Sequence, residues 1–156
     1  MIVVIDTNIL RKAVADNSWE HVCVLVNLNT FNHYLAVDYE NLLLGEYQDE
    51  LGSYLLFQKW YTETVKRNHI YYCSHHLTNK HKKELIRLGF HEPKDMIIVG
   101  LAWSADKYIV TEDSDFGKGQ ENRAAAHCQV LKYFNEQMGL TIHCANEANI
   151  KLLPIA

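Results

Sequence analysis

Met1-Ile-Val-Val-Ile-Asp6-Thr7-Asn8 opens the chain, and more of the architecture follows from it than from any other segment. From Ile2 to Ile5 every residue is aliphatic and β-branched, with none of the polar alternation of a strand that has one face in water. A short run of this kind that stops at an aspartate is expected of a parallel strand buried on both faces, with a helix following it. It is also far too short for a signal peptide or a membrane span, so a cytoplasmic location is expected.

The rest of the chain alternates in the same way. Trp19, Val22, Cys23, Val26 and Phe31 recur near helical spacing between Ser18 and Phe31, behind an Asp16-Asn17-Ser18 cluster able to cap a helix. His33 to Val37 reads as the second strand. Asp38 is placed to cap the next helix, where Leu42, Leu43, Leu44, Tyr47, Leu51, Leu55 and Leu56 share one side of the helical wheel, and where Gly45 or Gly52 is the expected break. A helix around Tyr54 to Arg67 leads to a strand at Ile70 to Cys73, in which Tyr71 and Tyr72 are expected to be buried. Pro93 suits the first turn of a helix that continues through Met96, Val99, Ala102 and Trp103. Lys107 to Val110 is the fourth strand, and a helix from about Asn122 to Met138, a strand Leu140 to Cys144 and a short tail complete the reading. Strands alternating with helices imply a three-layer α/β/α sandwich around a mostly parallel sheet.

Length and composition agree with one domain. The chain has 156 residues, 48% of them hydrophobic and 22% charged, with 2 prolines and 7 glycines, which leaves little room for linkers. Cys23, Cys73, Cys128 and Cys144 show no CxxC spacing and lie in apolar stretches, as expected of reduced core thiols. The formal net charge of −4 disfavours broad electrostatic capture of duplex nucleic acid. Clustered carboxylates alter that inference, because a loaded cation neutralises them locally.

The acids fall where an open parallel sheet binds ligands, beyond the carboxyl ends of its strands. Asp6 follows the first strand, Asp113 and Asp115 follow the fourth, Asp95 sits in the first turn of the helix leading into the fourth, and Glu46 lies in the helix leaving the second. Taken singly, each has an ordinary structural role open to it: a turn or cap for the aspartates, a helix dipole for Asp95, a solvated helix face for Glu46, whose rivals are Glu40 and Glu50. Gathered together they would repel one another, by about 1 kcal/mol per pair at 4 Å in water and more in a less polar crevice. Hard divalent cations offset that repulsion, and oxygen-only donor sets suit Mg²⁺ or Mn²⁺. No HExxH pattern points to zinc. Thr7, Asn8 and Thr111 are placed either to assist by hydrogen bonds or to cap turns.

Val4-Ile5-Asp6-Thr7-Asn8-Ile9-Leu10 resembles the opening motif of PIN-domain ribonucleases. Leu42-Leu-Leu-Gly-Glu46-Tyr-Gln-Asp-Glu-Leu51 is similar to the family's glutamate-bearing helix. Lys94-Asp95-Met-Ile-Ile-Val-Gly-Leu-Ala102 resembles its central aspartate helix, and Tyr108-Ile-Val-Thr-Glu-Asp113-Ser-Asp115-Phe116 its last acidic loop. The motifs stand in family order over most of the chain, although the stretch from Gly52 to His91 is longer than in the compact toxin members. The resemblance implies a PIN-like fold and catalytic, metal-holding roles for Asp6, Glu46 and Asp95, with Asp113 or Asp115 as the fourth acid. It also implies Mg²⁺- or Mn²⁺-dependent hydrolysis of RNA, leaving a 5′-phosphate and a 3′-hydroxyl, in a toxin or defence nuclease. The partners implied are single-stranded RNA and an antitoxin or another protein, and the oligomeric state, a homo-oligomer included, is left open.

Lys80, Lys82, Lys83 and Arg87 form the densest basic stretch, which reads either as a track for phosphates or as a solvated helix face. His75, His76, His81 and Cys73 meet no recognised metal spacing. A haloacid-dehalogenase-like phosphatase would want a second aspartate where Asn8 stands, and a receiver-like domain would want paired acids after the first strand. A non-catalytic PIN-like binding module is the alternative to an enzyme.

Overall fold

β1 (Ile2–Ile5) is the centre of the sheet, paired in parallel with β2 (Tyr34–Asp38) on one side and with β4 (Tyr108–Val110) on the other. Val3, Val4 and Ile5 are completely buried, which is why the sequence tolerates no polar residue there. β3 (Ile70–Cys73) and β5 (Thr141–His143) complete a sheet of order β3-β2-β1-β4-β5 in which every pairing is parallel. These relations come from a computed structural model describing residues 1–119 and 125–155.

The chain runs outward from β1 to β2 and β3, then returns past β1 to build β4 and β5. That reversal opens a crevice at the carboxyl ends of β1 and β4. α1 (Thr7–Val14), α2 (Trp19–Thr30), α4 (Leu55–Lys66) and α8 (Ala145–Lys151) pack together on one face. On the other, α6 (Pro93–Ser104) crosses under β1, β2 and β4. α5 (Asn79–Arg87) and α7 (Ala125–Gln137) join α6 through His81, whose ring meets Trp103 edge-on and whose Nδ1 lies 2.7 Å from the Tyr133 hydroxyl. The result is an α/β/α sandwich. α3 (Leu42–Leu51) stands at the crevice end, touching α1 and α6.

Asp38 caps α3 from a distance: its carboxylate accepts from the backbone N–H groups of Leu42 and Leu43, each at 2.9 Å. This satisfies two of the donors a helix start leaves free. The turn between them places Asn41 at φ 59°, in the left-handed region where asparagine is tolerated best after glycine.

Several expectations need correction. The leucine stripe is not one helix face, because α3 ends at Gly52 and α4 starts a new register in which Phe57, Trp60 and Thr64 face inward while Leu55 is exposed. Tyr71 and Tyr72 are exposed, not buried, since β3 is an edge strand. Of the cysteines, Cys73 is buried, Cys23 and Cys144 are partly so and Cys128 is exposed, and no disulfide joins them. The expected tail is α8, held to α2 by an Asn149 amide that donates to Glu20 O at 2.8 Å. The expected start of the seventh helix near Asn122 lies outside the described residues. Among those residues no helix is long and apolar enough to cross a membrane.

Candidate metal centre

Asp6, Asp95 and Asp113 converge at the β1–β4 reversal. One carboxylate oxygen from each lies within 4.8 Å of the others, although the three arrive from the end of β1, the first turn of α6 and the loop after β4. They line a crevice of about 170 Å³ together with Thr7, Asn8, Glu46 and Ile98.

The other predicted acids are placed differently. Glu46 projects from α3 into the same crevice, with its carboxylate 3.5 Å from Lys94 Nζ. Asp115 turns away: its side chain is half-exposed and approaches His127 Nε2 at 3.6 Å. Its backbone N–H, however, donates to Asp113 Oδ1 at 2.9 Å, because Ser114–Phe116 is a 3₁₀ turn capped by Asp113. The turn therefore aims Asp113 inward and Asp115 outward. Glu50 pairs with Arg11 at the crevice mouth.

Hydrogen bonds organise the floor. Thr111 Oγ1 donates to Asp6 Oδ2 at 2.8 Å and accepts from the Asp113 N–H at 3.1 Å, so one hydroxyl ties two of the acids together. The Asn8 amide reaches Asp6 Oδ2 at 3.3 Å. Tyr47, buried behind Asp6, donates its hydroxyl to Ile5 O and is held well above the ordinary phenol range by burial and by the charges of Asp6 and Glu46.

The electrostatics record the crowding. Burial, and then the charges of Asp6, Asp113, Asp115 and Glu92, push the Asp95 carboxyl up to about 8. Burial likewise lifts Asp6 to about 6, against the hydrogen bond from Thr111 and with help from the charges of Asp113 and Glu46. Both shifts mean that the charged form lacks a partner strong enough to offset its loss of water.

A divalent cation would be that partner, and the residues present fit one. The donors are carboxylate oxygens only, as hard cations prefer. Thr7 is a lining residue as well, and among the described residues its hydroxyl is the buried side-chain polar atom without a hydrogen-bond partner.

Two other clusters of potential ligands are committed elsewhere. His21 is bracketed by Ser18 Oγ at 2.7 Å and Glu112 Oε1 at 2.9 Å, and Asp38 is spent on capping α3. Sequence reasoning misses the first of these. Glu112 accepts from Lys12 at 2.7 Å, from His21 and from the Ala145 N–H at 3.1 Å. Burial alone would raise its carboxyl, but these donors outweigh burial and hold it below the usual range. The network clamps the residue before Asp113 to α1, α2 and α8. Arg11 and Lys94 are likewise crevice residues that sequence reasoning misses. Lys94 is adjacent to Asp95 in sequence, a signal that is available. Arg11 comes to Asp6 only through the turn of α1.

The basic stretch is divided by α5. Lys82 lines a neighbouring cleft, while Arg87 is engaged with Glu84 on an exposed face. His81 is taken up by Tyr133 and Trp103, so the histidines around Cys73 do not converge.

No family model matches the chain, and no curated protein matches it. Among solved structures it is similar to a chain of VapBC2 from Rickettsia felis, crystallised bound to a DNA fragment from the promoter of that pair. The identity is 16%, the TM-score is 0.53, and the match covers 92% of this chain and 98% of that one. At that identity the likeness speaks for the architecture alone, and it agrees with the five-stranded parallel sheet. The chain has a PIN-like α/β/α fold.

Proposed function

We propose that this protein is a metal-dependent endoribonuclease in which Asp6, Asp95 and Asp113 hold Mg²⁺ or Mn²⁺ at the β1–β4 reversal. The observation that carries the reading is the convergence of three carboxylates within 4.8 Å, two of them with pKa values raised by burial and mutual repulsion. Such perturbed groups gathered in a crevice are characteristic of functional sites. Among the described residues neither Asp6 nor Asp95 makes a side-chain cap or a salt bridge that would account for its placement.

When bound there, a divalent cation supplies Lewis-acid stabilisation of phosphoryl oxygens and makes water more acidic. The chain's own groups supply the rest. Thr111 and Asn8 orient Asp6, and Asp115 orients Asp113 through its backbone N–H. Asp95 must give up its proton to serve as a ligand, so loading is favoured as pH rises. Glu46 lines the opposite wall. Arg11 and Lys94, paired with Glu50 and Glu46 at the mouth, place positive charge where a substrate phosphate would enter.

The preference for RNA over DNA rests on the motif resemblance. An antitoxin-type protein partner is proposed on the similarity to the VapBC2 pair. The test is incubation of purified protein with mixed single-stranded RNAs in Mn²⁺ or Mg²⁺, beside Asp6→Asn and an EDTA control. Cation-dependent cleavage by wild type and its loss in Asp6→Asn are expected. RNA left intact by wild type, or equal cleavage by the variant, would overturn the reading.

A further inference from the structure

A cleft of about 520 Å³ lies beside the acidic crevice, and the first turns of α6 are the wall between them. Lys94, Asp95 and Ile98 face the acids, whereas Pro93, Met96 and Ile97 face the cleft. The two spaces are thus separated by one helix, about 10 Å across with its side chains. The opposite wall is α5, whose Asn79, Lys82 and Ile86 recur at helical spacing along the cleft.

Its surface is divided by chemistry. Leu77, Ile86, Met96 and Ile97 supply an apolar lining, while Lys82, Asn79, His75, His76 and His91 supply polar groups. Of the four basic residues in this stretch, Lys82 alone lines it. A pocket of this size with apolar walls and a few polar groups takes a flat heteroaromatic ring and fixes its edge. The lysine is positioned for the phosphate attached to such a ring.

We propose that this cleft seats an unpaired nucleobase of the same RNA strand whose phosphate lies at the acids, with Lys82 on the backbone of that nucleotide. The proposal rests on the nuclease reading of the acids. A duplex keeps its bases stacked and presents only their edges, so the cleft selects single strands. Glu40 stands at the cleft with its carboxylate 3.4 Å from His75 Nε2. It repels phosphate and accepts from an exocyclic amino group, which points the base, not the backbone, toward that end. Next to Glu40, the exposed Tyr39 and Tyr72 rings stack at 6.4 Å and 19° on the carboxyl ends of β2 and β3, a platform for a further base.

The experiment is fluorescence anisotropy of a labelled, short, mixed-sequence single-stranded RNA over a salt series, in EDTA and again in Mg²⁺. It compares wild type, Lys82→Arg and the double variant Lys82→Ala with Ile86→Ser, both positions being exposed on α5. The double variant is expected to bind roughly tenfold more weakly and to lose about 0.7 from its log–log salt slope, while Lys82→Arg retains the slope. A duplex of the same sequence should bind more weakly and respond to neither change. Unchanged affinity and slope in the double variant, or an equal loss on duplex, overturns the cleft, as does wild-type protein that binds RNA in neither condition. Binding in EDTA does not depend on cation loading, so the two readings fail separately. Cleavage that persists with unaltered affinity removes the cleft and keeps the nuclease. Affinity that falls in the double variant of a protein that cuts no RNA does the opposite.

Discussion

Thr111 Oγ1 stands 2.8 Å from Asp6 Oδ2 and 3.1 Å from the Asp113 nitrogen, so a single buried hydroxyl sets the spacing between the end of β1 and the loop after β4. Replacing Thr111 with Val keeps the shape and removes both bonds, along with the longer one that the hydroxyl accepts from the Asn8 amide at 3.4 Å. Partners of this kind typically contribute about 10–100-fold to metal affinity or activity. Thr111→Val is therefore expected to weaken Mn²⁺ binding within that range by calorimetry, and Thr111→Ser to restore most of it. Wild-type affinity in the valine variant would reduce Thr111 to a turn residue.

The raised pKa values of Asp6 and Asp95 fix the sign of a pH effect. Unfolded aspartates titrate near the ordinary value of 3.8, and the folded ones near about 6 and about 8. Between these limits the folded state holds more protons, so without a cation the contribution of these groups to stability is largest below about 4. It declines as pH rises, through about 6 for Asp6 and about 8 for Asp95. Thermal melts in EDTA should show a lower Tm at about pH 8 than at about pH 5, and Mn²⁺ should raise Tm far more at the higher pH. Asp95→Asn, relieved of the repulsion, should melt higher than wild type at about pH 8 in EDTA and gain less from Mn²⁺. A cation shift equal at both pH values would contradict the assignment.

Which parts of this site are legible in the sequence depends on what positions each residue. Asp6 is legible because β1 is buried on both faces and therefore spells itself as an unbroken aliphatic run ending at the crevice. Asp113 and Asp115 are indistinguishable in sequence, since a strand would send both to one side; the 3₁₀ turn at Ser114–Phe116 separates them. The exposure of Tyr71 and Tyr72 depends on β3 being the sheet edge, a property of strand order and not of the strand. α8 escapes notice because it has 7 residues and seats itself through the small Ala145 and Ala148, which give no apolar periodicity. Lys82 parts from Lys80, Lys83 and Arg87 only once the neighbours of α5 are known.

Glu112 joins three helices to the residue before Asp113. Glu112→Ala leaves Nε2 of the buried His21, together with Lys12 and the Ala145 N–H, without the acceptor it has here. Unpaired donors of this kind cost about 1–3 kcal/mol, to be read from urea denaturation with Glu112→Gln as the milder variant. Cleavage should fall further than the stability loss explains, because the clamp also holds the Asp113 loop. A variant with full activity and lowered stability would confine Glu112 to a structural role.

Two glycines separate a packing constraint from a helix preference. Gly45 lies inside α3, and a Cβ added there would meet nothing within 4 Å, so Gly45→Ala should add about 0.5–1 kcal/mol of stability through the alanine's better helix propensity. Gly100 lies inside α6, where the same propensity gain is on offer, but a Cβ there would sit 1.9 Å from His75 O and 2.6 Å from its carbonyl carbon. Those are backbone atoms of the segment joining β3 to α5, which cannot rotate aside as a side chain would. Either α6 or that segment must move, and overpacking of this kind typically costs about 1–3 kcal/mol. Gly100→Ala is therefore expected to lower stability despite its propensity gain, and, because His75 and His76 line the cleft beside α6, to weaken single-stranded RNA binding as well. Denaturation of the two variants side by side checks the signs, and a Gly100→Ala protein as stable as Gly45→Ala would show that α6 does not press on the His75 backbone.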